Sequence, residues 1–158
     1  MAKITDPKSI LPDTVTDYQD IFGADLISII LYGSAAGPDF RPGKSDINFM
    51  MVLSEDAIDH LDRAFDAVGK WRKKGVAIPL FLTEAYVATS LDVYPIEYLN
   101  FQRNYQLVFG KDILKGLTFE NNTWYSTSKG TPFRIGTRND YRELSFKEWI
   151  AASGEKGA

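Results

Sequence analysis

The sequence predicts an α/β fold, α+β in stricter terms: a small mixed β-sheet with helices on one face. Three observations carry this expectation. Residues 26–32 (Leu-Ile-Ser-Ile-Ile-Leu-Tyr) and 47–53 (Ile-Asn-Phe-Met-Met-Val-Leu) are short runs, apolar on both faces, as buried central strands are. Between them stand Gly33, Gly37, Pro38, Pro42 and Gly43, a density of breakers that no regular element survives. The second run is followed by a helical pattern over 54–75. Ser54 is placed as the N-cap, Glu55, Asp56 and Asp59 come early, and Lys70, Arg72, Lys73 and Lys74 come late, before Gly75. Acid first, base last and glycine after is the order that the helix macrodipole favours. Ile58, Leu61, Phe65, Val68 and Trp71 form one apolar stripe at helical spacing, which is expected to pack on the sheet.

The other elements follow in order. Residues 1–13, with two prolines, read as a loose lead-in. Thr14 or Thr16 caps a short helix to Phe22, and Gly23 ends it. Residues 76–82 read as a strand and 83–87 as a short capped helix. Residues 96–101 alternate apolar and polar positions, the pattern of a half-buried strand. Residues 105–110 are a further apolar run stopped by Gly110. Beyond Leu117 the character changes to Thr, Ser, Asn and Gly with little periodicity, so no structure is assigned to 120–140, while 141–152 reads as a helix. The expected organisation is one domain over 1–117 and an extension over 118–158.

Bulk composition excludes several classes of function. The chain has 158 residues, 44% hydrophobic and 25% charged, which is ordinary for a soluble domain with a real core. Its net charge of −3 argues against a general nucleic-acid-binding surface but allows a local basic patch. The absence of cysteine excludes disulfides and thiolate zinc sites, and one histidine excludes a multi-His metal site. No apolar run approaches the roughly 20 residues that span a bilayer, and the N-terminus lacks a signal-peptide core. A soluble, cytoplasmic protein without membrane association is expected.

The chemistry concentrates where the two apolar runs meet the loop. A Gly-Ser turn closing a buried strand lets a phosphate approach the backbone: Gly33 has no Cβ, and Ser34 offers a hydroxyl and an N–H. Ser45-Asp46-Ile47-Asn48 opens the second run. Residues two apart on a strand face the same way, so Asp46 and Asn48 project together, and oxygen ligands of this kind suit Mg²⁺.

Tyr32-Gly33-Ser34, the loop 35–44, and Ser45-Asp46-Ile47-Asn48 with its apolar strand resemble the signature of the nucleotidyltransferase superfamily. That superfamily includes DNA polymerase β, the aminoglycoside nucleotidyltransferases and the minimal nucleotidyltransferases. The resemblance is specific over the motif and plausible over roughly residues 24–115, and it implies a nucleotidyltransferase-like fold. It also implies Mg²⁺-dependent transfer of a nucleoside monophosphate from a nucleoside triphosphate to a hydroxyl of a protein, small molecule or RNA. On it, Gly33 and Ser34 bind the nucleotide with Ser45 and Lys44 beside them, and Arg41 is a further candidate for the triphosphate. Asp46 is the first metal carboxylate. Asn48 occupies the second carboxylate position, where an amide keeps an oxygen but loses the charge. Glu97 is the candidate third metal acid and catalytic base, provided that its strand lies beside the second one; Asp92 is the reserve. The alternative reading rests on Asn48: a catalytically weak or inactive nucleotide-sensing or protein-binding module, similar to an antitoxin built on a minimal nucleotidyltransferase, with a small helical partner.

The remaining polar clusters have plainer readings. His60, flanked by Asp59 and Asp62, is a solvated surface histidine. Lys70, Arg72, Lys73 and Lys74 are first a helix C-terminus and second a polynucleotide contact. Tyr94, Tyr98, Phe101 and Tyr105 are core or interface residues, with base stacking as the lesser reading.

Overall fold

A computed structural model describes residues 4–91 and 93–118, and the backbone of Phe133–Ile135 and Arg142–Leu144. Its centre is a mixed four-stranded sheet in the order β3-β2-β1-β4. β1 (Leu26–Tyr32) pairs antiparallel with β2 (Asn48–Leu53) and with β4 (Tyr105–Gly110), and β2 pairs parallel with β3 (Leu80–Thr83). The helices are α1 (Leu11–Phe22), α2 (Glu55–Ile58), α3 (Phe65–Lys73), α4 (Glu84–Ser90) and α5 (Pro95–Arg103). A separate two-stranded ribbon pairs β5 (Phe133–Ile135) with β6 (Arg142–Leu144). By internal contacts the chain forms two units, Met1–Thr89 with Ile96–Leu117, and Ser90–Pro95 with Thr118–Ala158.

The core follows from alternation along the strands. Leu26, Ile29, Leu31, Phe49, Met51 and Leu53 of the sheet join Tyr18 and Phe22 of α1 and Trp71 of α3 in one cluster. Ile30, Met50 and Val52, directed to the other face, are fully buried as well. Both central strands are therefore closed on both sides, which is why they read as continuous apolar runs. β1 and β4 approach closely at their far end. A Cβ on Gly110 would stand 1.9 Å from the Ile27 carbonyl oxygen, and Gly110 has φ +76°.

Several elements differ from expectation. Residues 7–13 are ordered: Pro7–Ile10 form a 3₁₀ turn capped by Asp6, whose carboxylate accepts from the Lys8 N–H, and this turn runs into α1. Neither threonine caps the helix, since the Thr14 and Thr16 hydroxyls donate back to the Ile10 and Pro12 carbonyls inside it. Ser54 does cap, accepting from the Ala57 N–H, but the helix it starts breaks after Ile58. His60 leaves the helical region (φ −123°, ψ 38°), a 3₁₀ turn follows over Leu61–Ala64, and α3 begins at Phe65. The apolar stripe largely holds: Trp71 is in the core and Ile58, Leu61 and Val68 pack partly buried against it, with Ala57, Ala64 and Ala67 buried beside them, while Phe65 is 70% exposed.

Residues 96–101 belong to a helix, not a strand. Pro95 pre-sets the helical φ in the first turn, and buried Pro95 and Tyr98 stand three residues apart, the helical repeat. The period-two alternation was equally compatible with that spacing. In the second unit, Arg142–Leu144 is a strand where a helix over 141–152 was expected; the rest of that segment lies outside the described residues.

Two stability predictions follow from this packing. The Tyr18 hydroxyl is buried with no hydrogen-bond partner among the described residues, and burial, aided by the Asp17 charge, lifts its pKa from 10.0 to about 12. The fold favours the neutral phenol, so this contribution to stability is present below pH 10.0 and is lost as pH rises through about 12. Tyr18→Phe should stabilise the protein by about 1 kcal/mol and flatten that alkaline loss, read by urea unfolding at neutral and alkaline pH. Gly110→Ala should instead destabilise by about 3 kcal/mol or more, because left-handed strain alone costs about 1–3 kcal/mol before the clash with Ile27 is counted.

Candidate functional site

The site is built at the end of the sheet where β1 leaves and β2 enters. Tyr32, the last residue of β1, lies opposite Asn48 on one side and Tyr105 on the other. Its ring meets Phe101 edge-on at 4.9 Å, and Phe101 meets Tyr98 at 5.9 Å. Burial raises the pKa of the Tyr32 hydroxyl, so this strand end stays a neutral, packed anchor. Gly33 then turns the chain with φ +78°, where a side chain would be strained, into a 3₁₀ turn over Gly33–Ala36. The Gly33 N–H donates to the Asn104 carbonyl at 2.9 Å, and the Gly37 N–H donates to the Ser34 carbonyl at 3.1 Å.

The open side of Gly33 faces Asn48. A Cβ built on Gly33 would stand 3.6 Å from the Asn48 Nδ2. Asn48 is held there by the phase of its strand. Ile47 is buried and bridges Val76, and the Ala77 N–H donates to the Ile47 carbonyl at 3.0 Å. With Ile47 turned into the core, Asp46 and Asn48 project away from it. Asp46 is exposed, while Ser34 and Asn48 are half-buried. Within the described residues, no side-chain hydrogen bond or ion pair engages Ser34, Asp46 or Asn48.

The loop before Asp46 closes on itself. The Arg41 N–H donates to the Ser45 hydroxyl at 3.0 Å, and the Ser45 and Lys44 N–H groups donate back to the Arg41 carbonyl at 2.8 and 3.0 Å. Ser45 therefore works as the clasp of the loop. Lys44 and Arg41 are exposed. Lys44 and Asp46 share a cavity of about 320 Å³ with Phe40 and with Arg72, Lys73 and Lys74 at the end of α3.

The expected third acid is not found on a strand. Glu97 lies exposed in the first turn of α5, and the neighbours of β2 are β1 and β3, so the condition on which Glu97 was chosen is not met. Pro95 is the cause, since it starts a helix where a strand was expected. β3 itself, Leu-Phe-Leu-Thr, carries no carboxylate, nor do residues 76–79 that lead into it. Asp92 lies outside the described residues. No group of three His, Cys, Asp or Glu side chains able to hold a metal occurs among the described residues. Asp46 stands two residues before β2, and among the described residues the strand next to β2 brings no further carboxylate.

Sequence reasoning missed two structural parts of the site. Asn104 anchors the turn through its carbonyl, and its side chain fills the space beside Gly37. No local signal marks such a contact, because it depends on how β4 docks beside β1. Phe101 was read as core or interface, and its contact with Tyr32 now gives it a place under the site.

No protein-family model matches the chain, and no curated protein matches it. Among solved structures, the chain is similar to a toxin-antitoxin crystallised with AMP-PNP, at 10% identity and TM-score 0.41 over 92% of this chain and 91% of that one. It is also similar to the spectinomycin adenyltransferase AAD(9) from Enterococcus faecialis, crystallised with ATP and spectinomycin. That likeness has 12% identity and TM-score 0.45 over 77% of this chain and 66% of the other.

The geometry at Gly33 gives a prediction separable from ligand binding. Gly33→Ala meets no clash, only ordinary contact with Asn48, so it should fold and lose about 1–3 kcal/mol from left-handed strain alone. Thermal unfolding should show a lowered Tm with the same unfolding enthalpy per residue.

Proposed function

We propose that the first unit is a nucleotidyltransferase-like nucleotide-binding module with weak or no transfer activity. The observation that carries this reading is the meeting of Gly33-Ser34 with Asn48, beside a single carboxylate, Asp46. The phosphates of a nucleoside triphosphate rest against the Cβ-free face of Gly33 and take hydrogen bonds from the Ser34 hydroxyl and the Asn48 amide. A Mg²⁺ ion accompanying the nucleotide would be held by the Asp46 carboxylate beside phosphate oxygens. When bound, that ion would neutralise phosphate charge. The chain's own donors, the Ser34 hydroxyl and the Asn48 amide, then orient the phosphates.

The weakness in transfer has a physical cause. In-line transfer to a hydroxyl needs charge neutralisation and a base at the attacking oxygen. Asn48 brings no charge, and the strand beside β2 brings no acid. The second reading, full Mg²⁺-dependent transfer of a nucleoside monophosphate to a hydroxyl acceptor, is favoured by the Gly33-Ser34 turn meeting the start of β2. It requires a base from outside β3.

Titration calorimetry with ATP, CTP, GTP and UTP, with and without Mg²⁺, tests the proposal. At least one nucleotide should bind with Mg²⁺. Asn48→Asp should tighten binding with Mg²⁺ by about tenfold, or about 1.4 kcal/mol, and weaken it without Mg²⁺, because the added carboxylate repels uncompensated phosphate. Labelled nucleotide incubated with cell lysate should show little transfer by the native protein and more by Asn48→Asp. Absence of binding for all four nucleotides with Mg²⁺ would overturn the reading.

A further inference from the structure

We infer that the cavity on the far side of Asp46 is a binding site for single-stranded nucleic acid. This goes beyond nucleotide binding at the Gly-Ser turn and does not depend on it. Lys44, Arg72, Lys73 and Lys74 line the cavity, and Asp46 is the only acid in its lining. Four cations facing one carboxylate form a strongly positive spot on a chain of net charge −3. The helix dipole explains basic residues at the end of α3. It does not explain Lys44, which comes from the loop before β2, or Phe40, an aromatic from the same loop in the same cavity.

The cations are not spent internally. Among the described residues, two ion pairs, Lys70–Asp17 and Lys111–Glu84, lie outside this lining and use none of its cations. Lys70 is thereby neutralised outside the cavity. Lys74 is held over the Trp71 ring at 4.6 Å, and that ring is fixed in turn by its Nε1 donating to Asp17 at 2.9 Å. Arg72, Lys73 and Lys44 are exposed and enter no ion pair. A volume of about 320 Å³ lies at the lower end of the roughly 300–1,000 Å³ typical of ligand pockets, a size for one phosphate-sugar unit at a time. Clustered Lys and Arg that track a backbone, with an aromatic on which a base stacks, are the two parts of sequence-tolerant single-strand binding. Gly33 and Ser34 do not line this cavity, so the phosphates bound here belong to the strand and not to the nucleotide.

Fluorescence anisotropy of a labelled single-stranded oligoribonucleotide of about ten nucleotides, titrated at several salt concentrations, tests this inference. Binding should weaken with salt, with a log–log slope near −0.7 for each phosphate neutralised. Arg72→Gln with Lys73→Gln should flatten the slope by about 1.4. Phe40→Leu, which keeps the apolar packing, should weaken binding by about tenfold through lost stacking. Lys115→Gln, an exposed basic residue outside the cavity, should leave the slope and affinity near native. ATP affinity, measured in parallel on the Arg72/Lys73 variant, should match the native protein. The inference falls if the oligonucleotide does not bind, if Lys115→Gln matches the double variant, or if a duplex of the same sequence binds equally well. It also falls if the double variant loses ATP binding, which would give the cavity to the nucleotide's own phosphates. Strand binding by a protein that binds no nucleotide would uphold it while overturning the nucleotide reading.

Discussion

Antiparallel pairing of β1 with β2, in the register that sets Tyr32 opposite Asn48, is the constraint on which the site depends. Antiparallel strands bring the exit of one and the entry of the next to the same end of the sheet, and so Gly33 and Asn48 become neighbours. The register is pinned by burial. Ile47, Phe49 and Met51 join the core cluster and Met50 and Val52 fill the opposite buried face, so a slip by one residue would drive Asn48 into the cluster and mismatch the packing of both faces. From the other side, Tyr105 of β4 lies opposite Tyr32, the Asn104 carbonyl just before β4 accepts from the Gly33 N–H, and the Phe101 ring of α5 packs against Tyr32. The turn is therefore positioned by three strands, although its motif occupies only two.

Much of this was readable before the structure. The two central strands, the glycine-rich loop, the Ser54 cap and the stop at Gly110 all follow from local chemistry: continuous apolar runs, a short polar cap, residues that permit positive φ. What was not readable had competing local rules or none. Residues 96–101 satisfy a strand's alternation and a helix's three-residue spacing together, and Pro95 decides between them. The acid–base order of 54–75 suits one long helix, yet the backbone leaves the helical region at His60 and a 3₁₀ turn over Leu61–Ala64 separates α2 from α3. The meeting of the Gly33 turn with Asn48 was legible, because two apolar runs joined by a breaker-rich loop read as neighbouring strands. The supposed third acid was not, because it depended on which strand lies next to β2.

The two flanks of Asp46 are chemically different. On one, a glycine, a hydroxyl and an amide make a neutral, hydrogen-bonding cradle at a half-buried strand end. On the other, four cations and an aromatic make a positive, partly enclosed cavity. Asp46 stands between them as the one acid, exposed and unpaired among the described residues.

The most direct measurement is amide NMR of the isotopically labelled protein, titrated with a non-hydrolysable nucleoside triphosphate analogue and Mg²⁺. If the Gly-Ser turn and the start of β2 form the phosphate cradle, the largest shifts should fall on the backbone amides of Gly33, Ser34 and Ala35 and on the Asn48 side-chain amide, with Asp46 beside them. Largest shifts elsewhere in the sheet, or saturation without any shift at Ser34 and Asn48, would contradict it.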